Sequence, residues 1–321
     1  MQQKFKILIS RTDSIGDVIL TLPMAGILKQ KFPDAKISFL GKNYTRDIIH
    51  TCEHIDEFIS YDELTKQTFD EQIKFIAQKQ FTHCIHVFPV YEIARLIRKA
   101  KVPIRIGTTN RIFHWVTCNK LIRLSRKKSD LHEAQLNCKL LSSFGIDKSF
   151  SIQELNDYVG FTKIEKIDKS TISLLDSIRK NIIIHPKSQG SANEWAIDNY
   201  VQLIKNIDHS KHKVFVSGTE NERQHIQQII TQCPEAIDIV GKLNLKQFIS
   251  FINACDALIA CSTGPLHIAS VCGKIAVGLF TDIRPMHPGR WSPIGSKTRI
   301  VLMNNDSSTE INSILNELDK I

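Results

Sequence analysis

The chain has 321 residues, with 42% hydrophobic and 23% charged side chains, which suits a globular protein of about two domains. It contains no run of about 18 apolar residues, so the sequence predicts no membrane-spanning helix. The N-terminus places charge within a short apolar stretch and lacks a small-residue cleavage site. It therefore predicts a first β-strand rather than a signal peptide, and a cytoplasmic protein.

The eight cysteines include no Cys-x-x-Cys pair, and several lie in apolar segments. This pattern predicts buried, reduced thiols rather than a metal site or a disulfide framework. Cys261 stands out because it borders a polar motif at residues 262–267.

Positive charge is concentrated in the first half of the chain. Residues 1–150 hold 24 basic and 15 acidic side chains, whereas residues 151–321 hold 18 of each. Residues 93–129 contain eleven basic residues and no acidic one. A charge run is often only a solvated face, but this one-sided excess favours an anionic partner. Composition leaves open whether that partner is nucleic acid, lipid headgroups or an acidic glycan.

Short β-branched runs alternate with amphipathic stretches, the pattern of parallel strands covered by helices. Strands are predicted at residues 5–10, 36–41, 55–60, 83–88 and 103–107, then at 181–186, 213–218, 237–241, 257–262 and 275–280. Helices are predicted at residues 18–32, 63–80, 199–207, 220–232, 245–256 and 307–321. The predicted fold class is α/β, with a parallel sheet in each half.

A polar, weakly periodic stretch near residues 147–180 predicts a domain boundary, which we place between 1–160 and 161–321. Two such halves leave a cleft between the carboxyl ends of their sheets, where ligands of these sheets bind. One possible packing of the C-terminal helix is against the N-terminal domain.

The first candidate site segment is ISRTDSIGDVILTLP, in which a strand ends at Ser10 and Gly16 opens a helix. Asp17 falls in the first helical turn, where the helix dipole favours the ionised form, so it is a candidate general base. Asp13 is a second carboxylate or the N-cap. Turn and cap roles explain each residue taken singly. The segment lacks G-x-G-x-x-G, which argues against a nicotinamide site.

A second segment follows the predicted strand that ends at residue 262. Ser262, Thr263 and Gly264 are followed by Pro265, a residue favoured at a helix start. Hydroxyls, a glycine and free backbone N–H groups together make a cradle for an anion. His267 adds a possible donor to a phosphate oxygen. The alternative is an N-cap and a packed histidine with no ligand.

The third segment is the loop after the strand at 181–186. Lys187, Ser188 and Gln189 are placed to contact a phosphate or a transferred sugar, and Trp195 leads into the next helix. Taken alone, this is an ordinary loop between a strand and a helix.

The fourth segment is KVFVSGTENERQ, in which Gly218 lets the strand turn. Glu220 or Glu222 is a candidate acceptor for ribose hydroxyls, as an acidic residue is in many nucleotide-binding folds. Acidic residues at a helix start also complement the helix dipole, so a purely structural role stays open.

Several motifs are absent from the sequence. It contains no Asp-x-Asp, P-loop, H-E-x-x-H or G-x-S-x-G pattern. We therefore expect a diphosphate to be neutralised by helix termini, lysine and histidine rather than by magnesium, with no metal and no cofactor.

Two of these strings together resemble glycosyltransferase family 9, the heptosyltransferases of the lipopolysaccharide inner core. They are R-T-D-S-I-G-D-V-I-L-T-L-P and S-T-G-P-L-H-I-A-S, with an H-P-x-x-x…W loop between them, and the similarity runs from about residue 4 to 280. The resemblance implies a GT-B fold of two Rossmann-like domains, with the acceptor in the N-terminal domain and the nucleotide sugar in the C-terminal one. It also implies metal-independent, inverting transfer of a heptose from ADP-heptose to the Kdo region of lipopolysaccharide.

The resemblance carries roles onto particular residues of this chain. Asp17 matches the catalytic aspartate, and Glu220 or Glu222 matches the acid that binds the ribose. Thr263, Gly264 and His267 match the motif that binds the donor diphosphate. To this diphosphate site we add, from the residues themselves, Ser262, Lys187 and Ser188. We assign acceptor binding to Asp13, Ser14, Gly16, Arg105 and Arg111.

The chain departs from the family pattern at two positions. Ser262 replaces a residue that is often acidic, and Asn193 replaces the lysine that usually stands two residues before the loop tryptophan. Lys187 is the candidate for supplying the missing positive charge.

The resemblance also gives the basic half a partner, an acceptor with phosphates and acidic Kdo sugars, and implies peripheral contact with the anionic inner membrane. Alternatives are a family member with another nucleotide sugar, an epimerase-type reaction, or a non-catalytic nucleotide-sugar-binding protein. Binding of nucleic acid is disfavoured, because residues 93–129 lack interleaved aromatics beyond Phe113 and Trp115.

Overall fold

The computed structural model describes residues 5–126, 129–188, 190 and 192–321. The chain divides into two compact α/β units, Met1–Lys163 and Ile164–Ile321. The division falls at 163/164, where the sequence predicts 160/161. In the described part of the chain, no helix combines the length and the apolar character needed to span a bilayer.

The first unit is built on a parallel sheet with the strand order β3-β2-β1-β4-β5-β6. Its strands are β1 (Lys6–Ser10), β2 (Lys36–Gly41), β3 (Glu57–Ser60), β4 (His83–His86), β5 (Ile104–Thr108) and β6 (Lys120–Ile122). Its helices are α1 (Ile15–Ile19), α2 (Leu22–Lys31), α3 (Arg46–Thr51), α4 (Tyr61–Leu64), α5 (Phe69–Lys79), α6 (Tyr91–Lys99), α7 (His114–Thr117), α8 (Glu133–Cys138) and α9 (Ile152–Asp157), with 3₁₀ turns at Asn43–Thr45 and Lys139–Phe144.

The second unit repeats this plan with the order β12-β11-β10-β7-β8-β9. Its strands are β7 (Lys180–His185), β8 (His212–Val216), β9 (Ile237–Asp238), β10 (Ala257–Cys261), β11 (Ile275–Phe280) and β12 (Thr298–Leu302). Its helices are α10 (Lys169–Ile172), α11 (Ile197–Asn206), α12 (Arg223–Gln232), α13 (Leu245–Ala254), α14 (Gly264–Val271), α15 (Pro288–Trp291) and α16 (Ser307–Leu318), with a 3₁₀ turn at Glu220–Glu222.

The central strands are buried on both faces, because helices cover each sheet from both sides. In β1, Ile7, Leu8 and Ile9 are fully buried, and Ile7 lies beside Ile37 on one neighbour and His83 on the other. This burial explains why the central strands read as continuous apolar runs rather than as alternating patterns.

The C-terminal helix α16 belongs to the core of the second unit. Its Ile311, Ile314 and Leu318 pack in the same apolar cluster as Trp195 and Tyr200. Part of its apolar face is therefore taken up within its own unit.

In each unit the strand order reverses beside the first strand. The first unit reverses between β1 and β4, and the second reverses between β7 and β10. The loops that leave these neighbouring strands diverge to opposite faces of the sheet, and ligands of such sheets bind at that point. The candidate segments after β1, β7 and β10 all leave the sheets at these reversals.

The cysteines among the described residues are free thiols, and all but Cys272 are buried. Burial raises the pKa of Cys138 to about 12 and that of Cys52 to about 11, so these thiols are protonated at neutral pH. The prediction of buried thiols is confirmed except at Cys272.

Candidate active site

The Asp17 carboxylate is held at the start of α1. Ser14 is the N-cap, with extended backbone angles of φ −71° and ψ 164°, and its Oγ donates to Asp17 Oδ2 at 2.5 Å. Arg11 donates from Nη2 to Asp17 Oδ1. The Asp17 side chain is nevertheless 16% exposed. The carboxylate is thus fixed by two donors and still reachable from solvent.

Arg11 is the charged centre of this site. Its side chain is 3% exposed, and its Nε donates to Asp13 Oδ1 at 2.7 Å. Its Nη1 donates to Glu133 Oε1 at 3.3 Å and to Asn137 Oδ1 at 3.1 Å. Burial alone would lower the pKa of Arg11, but the carboxylates of Asp17, Asp13 and Glu133 raise it above its ordinary value. The guanidinium therefore stays charged and orders three carboxylates around itself.

Helix α8 ties this cluster to the end of β4. Arg126 donates from Nε to Glu133 Oε1 at 2.8 Å, and from Nη2 to Asn137 Oδ1 at 3.0 Å and to the Val87 carbonyl at 3.2 Å. The cluster contains three carboxylates, of Asp13, Asp17 and Glu133, and two guanidiniums, of Arg11 and Arg126. When the carboxylates are ionised, these five side chains carry one net negative charge. Protonation of Asp17 would remove that charge, which suits a group that accepts a proton.

Asp13 is the second carboxylate of the site, and Ser14 rather than Asp13 is the N-cap. Burial and the negative charge of Asp17 raise the pKa of Asp13, although Arg11 opposes the shift. The Tyr44 hydroxyl donates to the Asp13 carbonyl at 2.6 Å and fixes the loop from the outside.

The structure brings most of the predicted acceptor residues to one edge of the first sheet. Asp13, Ser14 and Gly16 lie on the loop and helix after β1, and exposed Arg111 lies on the connection after β5. Arg105 is instead near the amino end of β5. Its guanidinium donates to the carbonyls of Thr117 and Val102 at 2.8 and 2.6 Å, which leaves it a structural residue. The expected acceptor role of Arg105 is therefore corrected.

The second unit presents the start of α14 beside the end of β7. Thr263 is the N-cap of this helix but makes no side-chain cap hydrogen bond, and its buried hydroxyl has no partner within the described part of the chain. The helix opens with Gly264 and Pro265, and His267 is buried in its first turn. Because the first N–H groups of a helix lack intrahelical partners, this end is suited to bind an anion. Half-buried Ser262 completes the turn.

The loop after β7 is organised around Glu194. Its carboxylate forms an ion pair with Lys187 and accepts from the backbone N–H and the hydroxyl of Ser188, both at 2.8 Å. Burial opposes ionisation, but these donors hold the pKa of Glu194 below its ordinary value. The two predicted phosphate donors are thus both engaged by Glu194. Gln189 lies outside the described residues.

The position that departs from the family's lysine also has a structural partner. Asn193 donates from Nδ2 to Thr281 Oγ1 at 2.9 Å, which links the loop after β7 to the end of β11. Asn193 therefore joins two loops at this edge of the sheet by a hydrogen bond. Unlike the family's lysine, it supplies no positive charge there.

Glu220 and Glu222 have different environments. Buried Glu222 accepts from the N–H and hydroxyl of Thr219 at 2.7 and 2.8 Å, which closes a capping box before α12. Glu220 is exposed and pairs with Arg223 at 2.7 Å. Its carboxylate packs over Gly241, whose φ of +68° and missing Cβ make room for it. Glu222 is a helix-capping residue, and only Glu220 faces solvent.

Sequence reasoning missed Arg11, Glu133 and Asn137. Arg11 carried a local signal, since it is a basic residue placed directly after an apolar strand and two residues before Asp13. Glu133 and Asn137 gave none, because they lie 122 and 126 residues further along the chain.

The two units together define a class of protein. Each is a Rossmann-like α/β unit, and the chain has the GT-B fold of glycosyltransferases. The first unit holds a fixed carboxylate, and the second has a helix whose N-cap Thr263 makes no side-chain cap hydrogen bond. Residues 71–319 match the family described as glycosyltransferase family 9 (heptosyltransferase). The chain belongs to this family and is a glycosyltransferase.

Known proteins are similar along nearly the whole chain. A Haemophilus influenzae protein named only as a glycosyltransferase is 27% identical, with 90% of this chain and 86% of the relative covered. The lipopolysaccharide core heptosyltransferase OpsX of the same species is 24% identical, with 91% and 83% covered. The solved E. coli ADP-heptose lps heptosyltransferase II superposes with a TM-score of 0.76 at 17% identity and covers 98% of each chain.

Proposed function

We propose that the protein transfers a heptose from ADP-heptose to the Kdo region of the lipopolysaccharide inner core, with inversion and without a metal. Family membership and the names of the relatives support this substrate class. The observation that carries the proposal is the Asp17 carboxylate, which Arg11 and Ser14 fix while it stays accessible.

The proposed reaction is a single displacement. Asp17 takes the proton of the acceptor hydroxyl, the hydroxyl oxygen attacks the anomeric carbon, and the bond to the ADP oxygen breaks with its electron pair. Arg11 keeps Asp17 oriented before the reaction, and the charge of the cluster is reduced when the proton arrives. The first unit supplies this base and binds the acceptor through Asp13, Ser14, Gly16 and Arg111.

The second unit would bind the donor. The leaving diphosphate is stabilised by the first turn of α14, by the Thr263 hydroxyl and by His267. Lys187 joins once the phosphate has replaced Glu194 as its partner. Glu220 would accept the ribose hydroxyls, because Glu222 is already engaged in capping α12.

A panel of ADP-, GDP- and UDP-sugars tested by thermal shift, with a chelator present, separates the possible donors. We expect ADP-heptose to raise the melting temperature most. The departures at Ser262 and Asn193 make another nucleotide sugar the second candidate, and a larger shift with a GDP- or UDP-sugar would identify it.

The reaction itself is tested with the preferred donor and a Kdo-terminated acceptor. We expect a product whose anomeric configuration, read by NMR, is opposite to that of the donor. Binding without any transfer would favour a non-catalytic nucleotide-sugar-binding protein, and isomerisation of the sugar without acceptor would favour an epimerase-type reaction.

We also propose that the protein acts at the cytoplasmic face of the inner membrane and does not bind nucleic acid. The support is the net charge of residues 1–150, which an anionic lipid-linked acceptor would complement. Fractionation of cells, with salt washing of the membranes, tests this location.

A further inference from the structure

The first unit exposes a set of large apolar side chains beside the ends of β4 and β5. Ile112 is 89% exposed, Trp115 63% and Val116 62%. Tyr91 and Phe88 are also exposed, and the Tyr91 ring lies 5.7 Å from that of Phe113, between centroids. We call these exposed residues the apolar patch: Phe88, Tyr91, Ile112, Trp115 and Val116. Exposed apolar residues grouped in this way indicate an interaction surface.

The fold holds this patch in place. His114, at the start of α7, is buried, and its Nδ1 accepts from the Thr108 N–H at 2.9 Å. The Trp115 indole N–H donates to the Thr109 carbonyl at 3.0 Å, and the Thr117 hydroxyl donates to the Phe113 carbonyl at 2.7 Å. These hydrogen bonds hold the segment against β5, while Ile112, Trp115 and Val116 are exposed to solvent.

Exposed basic residues precede and follow the most exposed part of the patch in the chain, namely Arg111, Lys120 and Arg123. The described residues 93–126 contain no acidic side chain, and exposed Glu92 directly follows Tyr91. Arg111 directly precedes Ile112, and Lys120 follows shortly after Val116. Apolar and tryptophan side chains with arginine and lysine close to them in the chain are the chemistry of a surface that enters the headgroup region of an anionic bilayer.

The patch also lies at the edge of the sheet that carries Asp17. Phe88 follows β4 and Ile112 follows β5, and the carboxyl ends of parallel strands share one edge with the loop after β1. Arg126 links this edge physically, because it binds both the Val87 carbonyl and Glu133, which in turn binds Arg11. A lipid-linked acceptor at a docked membrane would be presented to the same edge.

We propose that the apolar patch docks the protein on anionic phospholipid bilayers, with Ile112, Val116 and Trp115 entering the headgroup region. The inference rests on the proposed function for the acceptor's position, but lipid binding can be measured without donor or acceptor.

The test is co-sedimentation of the full chain with phosphatidylglycerol-containing vesicles and with pure phosphatidylcholine vesicles. We expect binding to the first and far weaker binding to the second. Ile112→Ser should reduce partitioning about tenfold, since an apolar side chain no longer enters the bilayer. Arg111→Gln and Lys120→Gln should each reduce it about fivefold. The matched control is Ile178→Ser in the second unit, where the side chain is 91% exposed; it should not change binding.

Fluorescence locates the contact. Brominated lipids should quench the tryptophan emission of the wild-type protein and leave Trp115→Phe unquenched, because Trp195 is buried and Trp291 lies in the second unit. Equal quenching of both proteins would overturn the proposal.

Other results also overturn it: no vesicle binding by the wild type, equal loss in Ile112→Ser and Ile178→Ser, or a self-association that Ile112→Ser abolishes. In the last case the patch is a contact between two copies of the chain. Transfer to a detergent-dispersed acceptor without vesicle binding refutes the docking surface alone. Vesicle binding without transfer to any acceptor refutes the proposed function alone.

Discussion

At the residue scale, the proposed base is Asp17, whose carboxylate two donors fix without covering it. We predict that Asp17→Asn lowers kcat by about 10²–10⁴, since asparagine keeps the shape and cannot accept the proton. Affinity for ADP, measured by calorimetry, should not change. The control is Asp70→Asn, at an exposed first-turn position of α5. Turnover of Asp17→Asn close to that of the control would remove Asp17 from the role of base.

Local strings in the sequence were enough to identify Asp17, Thr263 and His267 as candidates, because their roles follow from a strand–turn–helix pattern. The partners of Arg11 could not be read in this way, since Glu133 reaches it only through the fold. Arg105 shows the opposite error. It belongs to a basic run, but the run does not reveal that Arg105 lies at the amino end of β5, where backbone carbonyls occupy it.

At the element scale, the turn before α12 separates two glutamates that the sequence treats alike. We predict that Glu222→Ala lowers the free energy of unfolding by about 1 kcal/mol through loss of the cap, with unchanged ADP affinity. Glu220→Gln should weaken ADP binding about tenfold with little effect on stability, because its ion pair with Arg223 is exposed. Calorimetry measures the ADP affinity of both variants, and urea unfolding measures their stability. Loss of ADP affinity in Glu222→Ala and loss of stability in Glu220→Gln would show that Glu222 binds the ribose and Glu220 is the structural residue.

Each predicted strand overlaps an observed strand, with ends that differ by a few residues, because buried parallel strands have a strong apolar signal. Two further strands, β6 and β12, escaped prediction. β6 has only three residues within the basic stretch, and β12 is a partly exposed edge strand. The predicted helix at 18–32 is two helices, α1 and α2, because Pro23 suits the first turn of a new helix better than a helix interior.

At the scale of the whole molecule, each unit buries a histidine at the carboxyl end of a central strand. Burial, assisted by His114 and Arg105, lowers the pKa of His86 to about 3, and burial lowers that of His185 to about 4 despite Glu222. Both values lie below the ordinary 6.5, so between that pH and the folded value the unfolded chain binds protons that the folded chain does not. The contribution of these two histidines to the free energy of unfolding is therefore fully present above pH 6.5 and is lost as the pH falls.

We predict that, between pH 6 and the folded pKa of His86 of about 3, the free energy of unfolding of the first unit falls by about 1.4 kcal/mol per pH unit through His86 alone. His86→Gln should remove this contribution to the slope, whatever it does to stability at neutral pH. Urea unfolding at a series of pH values measures it, with exposed His225→Gln as control. Parallel slopes for the wild type and His86→Gln would show that the buried ring is not the titrating group.

The ion pair between Lys187 and Glu194 bears on the affinity of the enzyme for its nucleotide. In the proposed function Glu194 would compete with the donor, because its carboxylate occupies Lys187 and the Ser188 donors assigned to the phosphate. We predict that Glu194→Gln binds ADP several-fold more tightly in calorimetry, because a neutral amide yields these donors more readily. Weaker binding by that variant would mean that Glu194 instead keeps the loop in its binding conformation. If Glu194 competes with the phosphate in this way, it would shorten the time for which the ADP product stays bound. Its carboxylate can take the place of the diphosphate beside Lys187.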